Sequence, residues 1–245
     1  MTRLVCEDRG MQPDGVSSPH LVLSDGASPE AQSLLQRWNA QWPGVQPWRH
    51  LPREARPDAW VRFHTLVGGR QAPRHQRDRR TAVRRFRSVV RTVEEITATP
   101  ATVLLVEAPR WAGEFRDRVA SVVPTAQPWV THVFDDDPGE DDDHDDDVWP
   151  EERHSFRSGA VDDHMLAAIA LLVHDRDADL LLLPADLSWA VSPYGGGIDA
   201  VVRNPEEAAV LAARLRRWLP PEGWPGAVSW TRPATQRELH RAPDR

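Results

Sequence analysis

The chain has 245 residues, 40 % of them apolar, enough for one substantial core or two small ones. Its single cysteine, Cys6, excludes an intrachain disulfide, and its longest apolar stretch, Met165 to Val173, is far too short to span a bilayer. The net charge of −7 divides unevenly. Residues 135–147 carry ten acids and no base, which leaves the rest of the chain at +3.

Every one of the thirty basic side chains is arginine, and Trp 11 stands against Tyr 1. GC-rich codon usage accounts for the arginine excess without a selected need for guanidinium groups, and it points to a bacterial source. The first twenty residues hold no apolar core of a secretory signal, so a cytoplasmic location is expected.

Residues 1–27 lack periodicity and read as an irregular lead-in. Ser28-Pro29-Glu30 is a helix start, a capping hydroxyl followed by proline in the first turn. Ala31, Leu34, Leu35, Trp38 and Trp42 continue at helical spacing to Pro43-Gly44. Trp60 to Val67 reads as a strand ending at Gly68-Gly69. Ala82, Val83, Phe86, Val89, Val90, Val93 and Ile96 mark a long amphipathic helix. Residues 70–91, on or before its other face, carry nine arginines against one acid, Asp78.

Thr102 to Glu107 predicts a strand buried on both faces, and Pro124 to Val133 holds another. The segment 135–158 is too charged to offset the entropy of ordering and is expected to be a disordered acidic insertion. Asp162-Asp163 caps a helix carrying Met165 to Val173. Leu180 to Leu183 and Leu187 to Val191 predict strands. Ser192 to Gly197 then forms a turn, and Ile198 to Val202 returns as the second arm of a hairpin. Asn204-Pro205-Glu206-Glu207 is the clearest helix start, with Ala208, Leu211, Leu215 and Trp218 as its buried stripe. Residues 28–134 and 159–230 therefore predict one α/β domain, a mixed sheet flanked by helices, followed by a polar tail over 231–245.

The chemistry-bearing patterns are sparse. The triple glycine Gly195-Gly196-Gly197 can bring backbone N–H groups to a ligand, but no helix follows it, and a hairpin turn explains it equally. The acidic run has no fixed shell for a metal, and Asp175 to Asp179 lacks the glycine of a calcium loop. His144 and His174-Asp175 do not form a defined metal set, and His64 lies mid-strand. No nucleophile elbow, zinc motif or dinucleotide fingerprint occurs, so no catalytic residue, metal ligand or cofactor is assigned.

Trp60-Val61-Arg62-Phe63, the helix around Arg84 to Ile96, and Trp189-Ala190-Val191-Ser192-Pro193-Tyr194 through Asp199 resemble a bacterial family of unknown function numbered 3885. The resemblance spans roughly residues 29–219. It maps the family's late Pro-Tyr, glycine and aspartate onto Pro193, Tyr194, Gly197 and Asp199. Ser192 and Gly195 stand where the family often has His and Asp, so no role for those side chains carries over. The resemblance implies no activity. Small bacterial α/β domains of this kind also look similar to immunity proteins of toxin systems.

The expected function is a non-enzymatic binding protein, toxin-neutralising or regulatory, with another protein as partner and no membrane. Its contact residues are expected to be Trp189, Pro193, Tyr194, Gly195, Gly196, Gly197 and Asp199, because interfaces favour Trp and Tyr. One alternative is a nucleic-acid-binding module using Arg74, Arg77, Arg80, Arg84, Arg87 and Arg91. A weaker one is a hydrolase combining Tyr194, Asp199 and a histidine from elsewhere.

Overall fold

The computed structural model describes residues 20–47, 51–70, 72–108, 119–133, 152–174 and 179–221. The acidic run over 135–147, with His144, and Cys6, Asp175 and the 231–245 tail fall outside these residues. Eight strands form one sheet: β1 (His20–Leu23), β2 (Trp60–His64), β3 (Ala101–Ala108), β4 (Gln127–Val133), β5 (Glu152–Ser158), β6 (Asp179–Pro184), β7 (Ala190–Tyr194) and β8 (Gly197–Val201). Their spatial order is β1-β4-β5-β3-β6-β7-β8-β2. Among the described residues these helices accompany them: α1 (Pro29–Gln41), α2 (Leu51–Ala55), α3 (Gln76–Thr97), α4 (Asp163–His174) and α5 (Pro205–Arg214), and residues 119–122 are also helical.

The expected α/β class, a sheet flanked by helices, is what forms. The expectation of mixed strand directions is corrected, since every described pairing is antiparallel. The physical reason lies in the connections. The β7–β8 hairpin reverses the chain through a tight turn at Gly195-Gly196, and α3 returns the chain to β3, at a distance from β2 in the sheet.

The capping signals act as read. Ser28 Oγ accepts from the Ala31 N–H, Asp162 Oδ1 from that of Met165, and Asn204 Oδ1 from that of Glu207. Three local expectations fail. Ser192 to Tyr194 and Gly197, expected in a turn, pair within β7 and β8, so the turn shortens to Gly195-Gly196. Residues 20–23, within the supposed irregular lead-in, pair with β4. Residues 152–158, assigned to the acidic insertion, form β5 between β3 and β4, with Phe156 fully buried. Their polar sequence hides the strand because a single apolar anchor and two neighbouring ladders hold it, not alternation.

The sheet separates two apolar layers. On one face Val61, Phe63, Leu104, Val106, Leu182, Val191, Ile198 and Ala200 pack with residues of α3, α4 and α5. On the other, Trp60, Val103, Leu105, Leu181, Leu183, Ala190 and Val201 pack with Ala31, Leu34 and Trp38 of α1 and with Trp42. Trp38 stacks on Trp42 and meets Trp129 edge-on, each at a centroid distance of 6.0 Å. Among the described residues no helix is long and apolar enough to cross a membrane.

Candidate functional site

The α1 layer covers only part of its sheet face. Beyond it, at the β7-β8-β2 end, polar side chains replace apolar ones. Antiparallel register sets them in rows, because directly opposed residues point to the same face and every second residue repeats it. Trp60, Val201 and Ala190 make one row. Arg62, Asp199 and Ser192 make the next, and His64, Gly197 and Tyr194 the last. The intervening residues Val61, Phe63, Ile198 and Ala200 point into the opposite core.

Asp199 is the centre of this end. Its side chain is only 5 % exposed, yet it is not unsatisfied. Arg62 donates through Nε to Oδ1 at 2.9 Å and through Nη2 to Oδ2 at 3.1 Å, a bidentate fork. Arg53, carried by α2, donates through Nη1 to Oδ2 at 3.2 Å. The Tyr194 hydroxyl donates to Oδ1 at 3.3 Å. Aromatic rings hold the guanidinium groups in turn. Arg62 lies 5.0 Å from the Trp60 ring centroid and 5.3 Å from that of Tyr194, and Arg53 lies 5.6 Å from Trp60.

Gly197 makes the close approach of Tyr194 feasible. A Cβ at position 197 would sit 2.2 Å from the tyrosine hydroxyl oxygen and 2.3 Å from Cζ. The ring therefore lies across the glycine backbone, and that is what brings the hydroxyl to Asp199. Ser192 Oγ, beside Asp199 in the same row, is buried with no hydrogen-bond partner among the described residues.

The electrostatics suit a locked cluster better than a reactive one. Burial works against the charge on Arg62, but the hydrogen bond and charge of Asp199 outweigh it and raise its pKa. Burial, then the Asp199 charge, push the Tyr194 phenol well above its ordinary value, so it stays a hydroxyl. His64 shares the face, and burial, then the charges of Arg85 and Arg62, lower its pKa and favour the neutral ring. Among the described residues no group of three or more His, Cys, Asp or Glu side chains is arranged to hold a metal.

The expected contact residues are thus split by depth. Tyr194, Gly195 and Gly196 are half-buried at the sheet's end, while Pro193, Gly197 and Asp199 are buried. Trp189 is fully buried, its Nε1 donating to Thr99 Oγ1 at 2.9 Å, so it cannot contact a partner. The described tryptophans share this burial. Trp38, Trp42, Trp60, Trp129, Trp189 and Trp218 are all core residues, because the indole carries the largest apolar payload of any side chain. Arg53 and Arg62 are the members that sequence reasoning missed. A charged residue inside the apolar run Trp60-Val61-Arg62-Phe63 was the available signal, since such a residue needs a partner.

The arginine row on α3 is also divided. Arg74 precedes the helix. Arg87 and Arg91 both pair with Asp163 of α4, and Arg91 pairs with Glu94 as well. Arg70 grips Asp78 through two 2.8 Å bonds, which hold that carboxyl well below the usual carboxylate range. Arg77, Arg80 and Arg84 remain exposed.

An antiparallel sheet covered by helices on both faces, with a carboxylate-centred polar cluster where one cover ends, defines the class as an α/β domain. Residues 49–222 match the model of a domain of unknown function, DUF3885, and the chain belongs to that family. No curated protein and no solved structure matches it.

Proposed function

We propose that this chain is a non-enzymatic binding protein that engages another protein through the β2 and β7–β8 end of its sheet. One observation carries the reading: both oxygens of Asp199 are occupied by fixed donors from three different segments. Such a carboxylate is a poor general base, because it has no lone pair aimed at a substrate proton. It is well suited to fixing the shape of the surface above it, and preorganisation reduces the entropy lost on association.

That surface joins two turns. The Thr65 N–H donates to the Gly196 carbonyl at 3.2 Å, which sets the Tyr194–Gly196 turn beside the turn at residues 67–69. Val67 projects there, 65 % exposed. An apolar tip flanked by a tyrosine edge and the half-exposed Arg53 has the composition of a small protein-binding patch. A toxin or a regulatory protein is the partner class this reading favours.

A photo-crosslinking residue placed at Val67, and separately at Val210 on α5 as a control, tests it in cells of origin. The reading requires a discrete adduct from position 67 that is lost in a Tyr194→Ala background. Equal or absent crosslinking at both positions would reject it. The nucleic-acid alternative rests on exposed Arg77, Arg80 and Arg84, and it is weakened by the internal pairing of Arg87 and Arg91.

A further inference from the structure

A concave feature lies on the opposite side of the sheet from the Asp199 cluster, between α3 and the short turn Arg216–Trp218 that follows α5. It is a cleft of about 330 Å³ lined by Arg84, Ser88, Arg217 and Trp218. Arg84 and Arg217 are exposed, and neither is paired with an acidic side chain among the described residues. This distinguishes them from their neighbours on α3, since Arg87 and Arg91 are neutralised by Asp163.

Behind the cleft stands a third guanidinium. Arg85 is 8 % exposed and lies 5.6 Å from the Trp218 ring centroid, while Arg217 lies 4.8 Å from the same ring. Arg85 Nη1 donates to the His64 carbonyl at 2.8 Å, but its Nε is buried with no hydrogen-bond partner. Two guanidinium groups thus flank the Trp218 ring and a third, Arg84, lines the same cleft, none of them paired with an acid among the described residues. Burial, then the charges of Arg84 and Arg217, lower the Arg85 pKa.

We infer that this cleft binds a phosphate group carried by a small ligand. Two guanidinium forks and a hydroxyl supply more donors than a carboxylate has oxygens, and a dianion matches the two uncompensated charges at its mouth. The cleft has room for a phosphate and part of the body that carries it. A nucleic-acid backbone fits less well. It needs a row of cations spaced along its track, whereas pairing with Asp163 ends the free α3 row at Arg84, and of that row only Arg84 shares the concave cleft with Arg217. Arg217 covers the Trp218 ring, so that ring serves as a wall and not as a base-stacking platform.

Titration with inorganic phosphate at constant ionic strength, followed by calorimetry on the full chain, tests the site. Saturable binding is expected. Arg84→Gln and Arg217→Gln should each weaken it roughly tenfold or more, the effect of losing a charge-assisted bond to an anion. Arg80→Gln, one turn from Arg84 and outside the cleft, should leave the affinity unchanged. Melting temperatures without phosphate should match the parent, because both cleft arginines are exposed, and this shows that the variants are folded. Absence of saturable binding, or cleft variants that bind phosphate as tightly as the parent, overturns the inference. So does tight binding of a 20-base-pair duplex that Arg77→Gln and Arg80→Gln weaken as much as Arg84→Gln, with no response to phosphate ion.

Discussion

Arg62 and Asp199 oppose each other directly across β2 and β8, and the guanidinium of one forks onto both carboxylate oxygens of the other at 2.9 and 3.1 Å. The pair is largely buried, 17 % and 5 % exposed. It is therefore screened by protein more than by water, and it also tethers α2 through Arg53. Removing one partner of a buried pair leaves the other unsatisfied, which is where the energy of such pairs becomes visible.

Asp199→Asn keeps the size of the side chain but loses the charge and replaces one acceptor with a donor that faces arginine. The expected loss is about 2 kcal/mol, below the usual figure for a fully buried pair because Arg53 is 31 % exposed. For a chain of this length that corresponds to a melting temperature lowered by roughly 4–8 °C. Thermal denaturation followed by circular dichroism checks it. A variant as stable as the parent would mean that the cluster is not what holds β2, β8 and α2 together.

Gly197→Ala should destabilise through a specific clash. The added methyl group would meet the Tyr194 ring at 2.2 to 2.8 Å, so the ring must swing off the glycine and release Asp199. The expected loss is about 1–3 kcal/mol, the usual range for overpacking. Tyr194→Ala removes the obstacle. The double variant should then be less destabilised than the sum of the two single variants, a non-additivity that a double-mutant cycle reads directly. Simple additivity would show that the two residues do not compete for the same space.

Much of this site was legible in order and little of it in depth. Alternation along Ile198 to Val202 correctly separated Asp199 from the core-facing Ile198 and Ala200, because a strand's period of two is set by backbone geometry alone. The partners of Asp199 were not legible, since Arg53 and Arg62 lie 146 and 137 residues away in sequence and only the sheet order brings them near. The misplacing of Trp189 has the opposite cause. Composition alone favours a contact role, but a tryptophan that finds a hydroxyl for its Nε1, here that of Thr99, satisfies every requirement for complete burial. β5 escaped notice because Arg153, His154 and Ser155 carry no strand pattern of their own.

His64 predicts a pH dependence. Its pKa is lowered in the folded chain, chiefly by burial and then by Arg85 and Arg62, whereas the unfolded chain takes up its proton near the ordinary value of about 6.5. In the window between the lowered value and about 6.5 the unfolded state therefore binds more protons, and stability rises with pH across it. Below that ordinary value the melting temperature should fall as the solution is acidified. His64→Asn should have a shallower slope over the same window, measured as the difference between the parent and the variant. Identical slopes would assign the acid sensitivity to other groups.

The last prediction concerns how much of the α3 charge is available to a polyanion. Asp163, at the start of α4, engages both Arg87 and Arg91, and its side chain is 51 % exposed. Exposed pairs of this kind add little to stability, typically about 0–1 kcal/mol, so Asp163→Asn should fold and melt nearly as the parent does. Its electrostatic effect should be larger than its structural one. The substitution leaves Arg87 without its carboxylate and Arg91 with Glu94 alone, extending the free cations of α3 from Arg77, Arg80 and Arg84 towards a continuous row. A row of free cations displaces counterions from a polyanion in proportion to its length, so binding should strengthen and its salt dependence steepen. Asp163→Asn should elute from a heparin column at higher salt than the parent, and deletion of residues 135–147, which removes ten negative charges, should shift elution in the same direction. If Asp163→Asn elutes with the parent while the deletion shifts, the tethered acidic run governs access to α3 and the Asp163 pairs do not. If both shift and the effects add, the chain restrains its basic helix twice, once by fixed ion pairs and once by bulk charge.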